Sequence, residues 1–159
     1  MILGFDSMWD KYPMGSASKV LKDIFGKKSE ETPEWTRKWI LKNVMNTCTI
    51  RISHSLNWST SPVKKIANIE SVTGIKGQYI LKVSHMRKYL KMRYGKANIS
   101  VKGNQKELKE AIKSKKGIIC FIVSGWSDAT GHFDLWNGSQ VRNSEYFTKA
   151  NQVKLWLVK

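Results

Sequence analysis

The chain has 159 residues, is 41% hydrophobic, and carries 28 Lys and Arg against 12 Asp and Glu, which gives a net charge of +16. This length fits a single catalytic domain over 1–159 that can bury a core without a metal or disulfide framework. No long apolar run exists that would span a membrane, and two cysteines are too few for a disulfide scaffold. The charge favours an anionic partner, such as nucleic acid or an anionic cell wall.

The N-terminal segment, MILGFDSMWDKYP, has neither a basic n-region nor a continuous apolar h-region. It is therefore not a secretory signal peptide. We expect the protein to be made in the cytoplasm and, if it acts elsewhere, to be carried there by another route.

The first two thirds of the chain has the apolar spacing of helices. Helices are predicted at 18–25, from Glu34 onward, at 49–56, at 83–94 and at 105–114. The stretch 58–77 contains WSTSP and the pair Thr73-Gly74, and is interpreted as irregular chain.

After residue 117 the pattern becomes that of strands, rich in β-branched and aromatic residues. Strands are predicted at 118–123, 131–136 and 153–158. Cys120 lies in the first of them and is expected to be a buried small hydrophobe. Helices followed by strands predict an α+β domain in which helices pack against an antiparallel sheet.

Cys48 is the candidate nucleophile. Asn46 and Thr47 are typical cap residues, so Cys48 is expected in the first turn of the helix that follows. Unpaired N–H groups and the helix dipole at that end favour the thiolate, which is the reactive form. The Cys48 backbone N–H is also a candidate donor to an oxyanion.

A nucleophilic cysteine needs a base, and the chain offers three histidines. His54 follows Cys48 on the same helix but points mostly away from it, and His85 lies among Lys and Arg on a surface helix. His132 lies on a predicted strand, and a strand-mounted base facing a helix-mounted cysteine is the papain-like arrangement. We therefore expect His132 to act with Cys48.

The third residue is predicted from hairpin register. Asn137-Gly138 is typical of a two-residue turn, which would pair His132 with Asn143. Directly opposed side chains share a face, so Asn143 could orient the imidazole. Asp134 shares that face two residues along the strand and is the alternative.

Several segments together resemble the fourth family of type VI secretion amidase effectors. They are MWDKYP, NTCTIRISHSLN, YILKVSHMRKYL and SGWSDATGHFDLWNGS with the following Tyr146-Phe147. The last is the most specific, because few other proteins join GWSDATGH to an LWNG hairpin.

The resemblance implies a papain-like fold of the NlpC/P60 type and hydrolysis of the γ-D-glutamyl–meso-diaminopimelate bond in peptidoglycan, without a cofactor or metal. It implies delivery by the type VI apparatus into the periplasm of target bacteria, and a cognate immunity protein. The family's nucleophile falls on Cys48 and its base on His132. Its third residue, usually aspartate, falls on Asn143, which as a neutral side chain holds an imidazolium less strongly.

Two other classes of function are compatible with part of the sequence. A nucleic-acid-binding module would suit the charge and aromatic content, but no RNA- or DNA-binding signature is present. A non-enzymatic wall-binding domain is the other. We expect neither nucleic acid nor membrane insertion. The segment Gly26-Lys27-Lys28-Ser29 is not a phosphate loop, and no Cys/His spacing is typical of zinc.

The loop before His132 contains two candidate substrate-binding residues. Trp126 and Asp128 are expected to line the cleft, with Asp128 contacting a substrate amine.

Overall fold

The computed structural model describes residues 2–125 and 131–159 of the chain. Its helices are α1 (Phe5–Lys11), α2 (Ala17–Phe25), α3 (Glu34–Asn43), α4 (Cys48–Asn57), α5 (Val83–Tyr94) and α6 (Gln105–Ile112). Its strands are β1 (Ser71–Gly74), β2 (Gly77–Ile80), β3 (Ile99–Lys102), β4 (Gly117–Ile122), β5 (His132–Trp136) and β6 (Gln152–Leu157). No described helix is long and apolar enough to cross a membrane.

The main sheet is antiparallel, with strand order β3-β6-β4-β5. β4 is central, because Ile119 faces Asp134 on one side and Leu155 on the other. β5 is therefore an edge strand, and α4 packs beside it. β1 and β2 form a separate antiparallel hairpin.

Alternation along the strands divides the core between the two faces of this sheet. On one face Cys120 and Phe133 pack with Ile52 of α4 and Met86 of α5. The other face packs against α6 and its Leu108. Each fully buried aliphatic side chain contributes about 1.5–3 kcal/mol, so α4 and α5 are fixed on the sheet by their apolar sides.

The α+β class and the antiparallel sheet are confirmed, and the predicted helices at 18–25, 49–56 and 83–94 correspond closely to α2, α4 and α5. Cys120 is fully buried, as predicted. The interpretation of 58–77 as irregular missed β1, and the edge strand β3 was also missed.

The predicted two-residue turn at Asn137-Gly138 is wrong. Trp136 pairs with Val141 rather than Ser139, and the Asn137 N–H donates to the Gln140 carbonyl at 3.1 Å. The Asn137 side-chain oxygen accepts the backbone N–H groups of Ser139 and Gln140, which stabilises a longer loop.

Candidate active site

Cys48 is the first residue of α4, and its neighbours define that end of the helix. Asn46 Oδ1 accepts the Cys48 N–H at 3.1 Å, whereas Thr47, at the N-cap position, makes no capping bond from its side chain. The N–H that was predicted to hold an oxyanion is therefore engaged by Asn46.

Arg51 fastens the same end of α4 to the connection between α1 and α2. Its Nε donates to Thr47 Oγ1 at 3.0 Å, and its two terminal nitrogens donate to the carbonyls of Pro13 and Gly15, each at 2.8 Å. Gly15 has φ +96°, a left-handed conformation that favours glycine. The buried guanidinium thus places a positive charge one helical turn from the thiol.

His132 begins β5, where it pairs with Phe121 of β4. Its ring lies against that of Tyr146, with centroids 4.4 Å apart, and is stacked near Phe121 at 6.3 Å. Only 8% of His132 is exposed, so the two aromatic rings hold the imidazole in place.

Cys48 and His132 open into one cavity of about 370 Å³. Its other lining residues are Met45, Asn46, Thr47, Arg51, Asn143, Ser144 and Tyr146. Cys48 itself is 3% exposed, so the thiol lies at the bottom of the cavity rather than on the surface. The start of α4 and the start of β5 are therefore neighbours, as the sequence predicted.

Asp134 lies behind the imidazole and is completely buried. Its Oδ2 is 3.7 Å from His132 Nε2, a distance within ion-pair range but too long for a hydrogen bond. The same oxygen accepts the backbone N–H groups of Asn143 at 3.2 Å and Ser144 at 2.8 Å, and Oδ1 accepts that of Leu135. Three backbone N–H donors thus fix the position of this side chain.

The expected pairing of Asn143 with His132 is wrong, because the longer loop after Trp136 shifts the returning chain by two residues. Asn143 lies opposite Asp134 instead, and binds it through its backbone N–H. Its side chain still lines the cavity. Among the described residues, the carboxylate that comes within ion-pair range of the His132 ring is that of Asp134, the alternative third residue.

The charges around His132 favour its protonated form. Burial lowers its pKa, but Asp134 and Cys48 raise it by more, to about 9. The imidazolium form of His132 is therefore favoured beside Cys48 and Asp134. Burial, followed by the charge of Asp134, likewise raises the pKa of Tyr12 well above its usual value, which keeps that phenol neutral.

The remaining candidates lie elsewhere. His54 contacts Tyr79 and Trp58, and His85 accepts the Glu70 N–H, as befits residues outside the site. Within the described ranges no cluster of His, Cys, Asp or Glu could hold a metal ion. Trp126 and Asp128 lie outside the described residues.

Sequence reasoning from the residues alone missed Arg51, Tyr12 and Tyr146. An arginine three residues after the nucleophile resembles any helical surface cation, and only the fold reveals that it turns inward. All three residues belong to the segments that carry the family resemblance, which was the available signal.

Comparison with known proteins identifies the family to which the chain is similar. A family model described as type VI secretion system (T6SS), amidase effector protein 4 (Tae4), matches residues 44–156. Among curated proteins no relative was found.

Solved structures match over almost the whole chain. Tae4 from Enterobacter cloacae is 28% identical, with 98% of this chain and 96% of that chain covered and a TM-score of 0.79. Tae4 in a Tae4–Tai4 effector–immunity complex from Salmonella Typhimurium is 26% identical, with 98% of each chain covered and a TM-score of 0.79. The fold is thus papain-like and of the NlpC/P60 type, as predicted.

The family match takes in both Cys48 and His132 and extends over more than half of the sequence. The chain therefore belongs to the Tae4 family of type VI secretion amidase effectors.

Proposed function

We propose that Cys48, His132 and Asp134 hydrolyse the γ-D-glutamyl–meso-diaminopimelate amide of peptidoglycan stem peptides. The observation that carries this proposal is the shared cavity, into which the thiol and the imidazole both open while a buried carboxylate lies behind the ring. This arrangement supplies a nucleophile, a proton donor and a fixed negative charge.

The reaction has two steps. The Cys48 thiolate attacks the γ-carbonyl carbon, and the His132 imidazolium protonates the diaminopimelate nitrogen as the C–N bond breaks. A water then attacks the thioester carbonyl and gives one proton to His132, which restores the imidazolium. As the C–S bond breaks, the Cys48 thiolate is restored, and the product leaves as a γ-carboxylate after its carboxyl proton passes to solvent. During both steps the Cys48 N–H, released by Asn46, can stabilise the oxyanion.

In this proposal Asp134 is a positioning residue, since it acts through His132. Asn143 supports Asp134 through its backbone N–H rather than serving as the orienting side chain. Trp126 and Asp128 remain proposed substrate contacts, on the position of their loop directly before His132.

The setting follows from the family. We propose that the type VI apparatus delivers the protein to the periplasm of target bacteria, where the stem peptides are exposed. A cognate immunity protein is proposed to cover the cavity, by analogy with the Tae4–Tai4 complexes.

The test is digestion of purified diaminopimelate-type sacculi, with the fragments identified by mass. The wild type should release fragments with a new γ-D-glutamyl end, and Cys48→Ala should release none. Wild type without new fragments would refute the proposal. A basic module that binds nucleic acid or cell wall without cleaving would retain its biological effect in Cys48→Ala.

A further inference from the structure

A second cavity, of about 520 Å³, lies far from the catalytic one. His132 lies on β5 at one edge of the sheet, whereas this cavity is formed by α5, β3 and β6 at the other edge. Five cations line it, and we call it the basic pocket: Arg87, Lys88, Lys91, Lys96 and Lys154.

The fold brings these cations together from three segments. Arg87, Lys88 and Lys91 share one face of α5, because residues three and four apart are neighbours on a helix. Gly95 ends the helix with φ +83°, and its carbonyl accepts the Trp156 Nε1–H at 3.1 Å. This bond holds the turn at the pocket and directs the chain to Lys96.

The sheet supplies the other wall. Lys154 of β6 is directly opposite Ser100 of β3, so their side chains share a face. Trp156, two residues along the same strand, lies on that face too and forms the apolar floor of the pocket. The half-buried Lys154 therefore places a positive charge at the floor of the basic pocket, and the exposed lysines of α5 place theirs at its edge.

The described lining of the basic pocket contains no Asp or Glu. Within the part of the chain that the structure describes, none of the ion pairs includes Lys88, Lys91, Lys96 or Lys154. Like charges in a concave surface reinforce one another and attract anions. The pocket is thus suited to a ligand with several negative groups.

We propose that the basic pocket binds carboxylates of uncleaved peptidoglycan stem peptides and tethers the enzyme to the wall during successive cleavages. The inference rests on the proposed function for the source of these carboxylates. Single-stranded nucleic acid fits less well, because it needs exposed aromatic rings for stacking and the pocket's Trp156 is only 4% exposed.

Binding can be measured apart from cleavage. In a Cys48→Ala background, Lys88, Lys91 and Lys96 are all replaced by Gln, and cosedimentation with purified sacculi gives the Kd. We expect Kd to rise about tenfold, since three charges around one concave site act together. The three side chains are exposed, so folding should be retained, which the thermal unfolding midpoint verifies.

The matched control replaces Lys22, Lys27 and Lys28 by Gln, which removes the same charge from an exposed region distant in sequence. Its Kd should change by less than about twofold. A third variant with Arg at positions 88, 91 and 96 keeps the charge and should bind sacculi like the parent. Equal losses of sacculus binding in the two Gln variants would overturn the proposal. So would a pocket variant that binds sacculi like the parent but has lost binding to single-stranded DNA.

The two proposals fail separately. With an intact Cys48, the pocket variant should cleave a short soluble stem peptide at the wild-type rate and sacculi more slowly, through a higher KM. If the wild type cleaves neither substrate, the proposed function fails while the binding measurement still stands. If the pocket variant also cleaves the soluble peptide more slowly than the wild type, the basic pocket contributes to catalysis itself and the tethering role is wrong.

Discussion

At the scale of single residues, the proposed mechanism depends on the carboxylate of Asp134. Its Oδ2 faces the His132 ring and also accepts two N–H groups from the chain that returns after β5. Because the group is fully buried and has three donors, its position is fixed. It is therefore better placed than a neutral amide to stabilise an imidazolium.

Asp134→Asn tests this assignment. The variant keeps the size of the side chain but removes the charge opposite His132, so kcat/KM on sacculi should fall by about 10²- to 10⁴-fold. The pH profile should move with it, since an imidazole without this carboxylate deprotonates at lower pH.

Asn143→Ala is the matched comparison. It keeps the backbone N–H that Asp134 accepts, so its kcat/KM should fall by less than about tenfold. If Asn143→Ala instead loses as much activity as Asp134→Asn, the amide side chain is the orienting group, as the hairpin register had predicted.

The titration of His132 gives a prediction for pH dependence. Its pKa in the folded protein, about 9, is above its ordinary value of 6.5, so protonated His132 stabilises the fold. This contribution is complete below pH 6.5 and is lost as the pH rises through about 9. Activity should decline over the same alkaline range, because the imidazolium is the proton donor.

Histidine ring signals measured by NMR across this range should show the raised titration. His132→Gln should flatten the pH dependence of the unfolding free energy between 6.5 and 9. An ordinary titration near 6.5 for His132 would contradict the charge arrangement described for the site.

At the scale of elements, the position of the thiol is set by how α4 begins. Arg51 joins this helix end to Pro13 and Gly15 across a long stretch of sequence. The bonds hold an irregular connection against the start of the helix. The N-terminal segment thereby supports the end of the helix that carries Cys48.

Arg51→Met should lower the free energy of unfolding by about 2–4 kcal/mol, because it leaves the two carbonyls and Thr47 Oγ1 without their donor. Arg51→Lys should recover only part of this, since an ammonium lacks the planar fork of donors. Urea unfolding measures both. The exposed Arg93→Met on α5 is the control and should change stability by less than about 0.5 kcal/mol.

Elements in which apolar residues repeat at regular spacing over several turns were predictable from the sequence. Elements that depend on local side-chain hydrogen bonds were not. α5 was predicted at its observed limits because Val83, Met86 and Leu90 repeat at helical spacing. β3 has four residues with only half-buried Ile99 and Val101 on its inner face, which is too weak a signal at a sheet edge.

The proximity of Cys48 and His132 was predictable, because one begins a helix and the other lies on a strand. The positions of these elements are set by the packing of the whole domain. The third residue was not predictable, since it depends on the register of one turn. Asn137-Gly138 is typical of a two-residue turn, but the Asn137 side chain accepts two N–H groups and lengthens the loop. That change of two residues exchanges Asn143 for Asp134.

At the scale of the whole molecule, the excess of positive charge acts beyond the catalytic cavity. The net charge of +16 is spread over many exposed lysines, and those of the basic pocket lie at the sheet edge opposite His132. Substrate attraction and bond cleavage are thus assigned to different surfaces. Ionic strength should affect the first more than the second.

Salt titration tests this division. Raising the ionic strength shortens the screening length to below about 8 Å, so kcat/KM on sacculi should fall severalfold. Cleavage of a short soluble stem peptide should change much less, since the ion pair of the buried His132 and Asp134 is poorly screened. Parallel declines for both substrates would assign the salt effect to the catalytic cavity.

The turn after β5 has a consequence for how this family can diverge. At the end of this turn, the backbone N–H groups of Asn143 and Ser144 both donate to Asp134 Oδ2. The number of residues between Trp136 and Asn143 therefore determines whether the Asp134 carboxylate is held beside His132. Replacements at the tip, such as at Ser139, leave that spacing intact. A single insertion or deletion there would withdraw the donors from Asp134 and disable the enzyme without touching any group that meets the substrate.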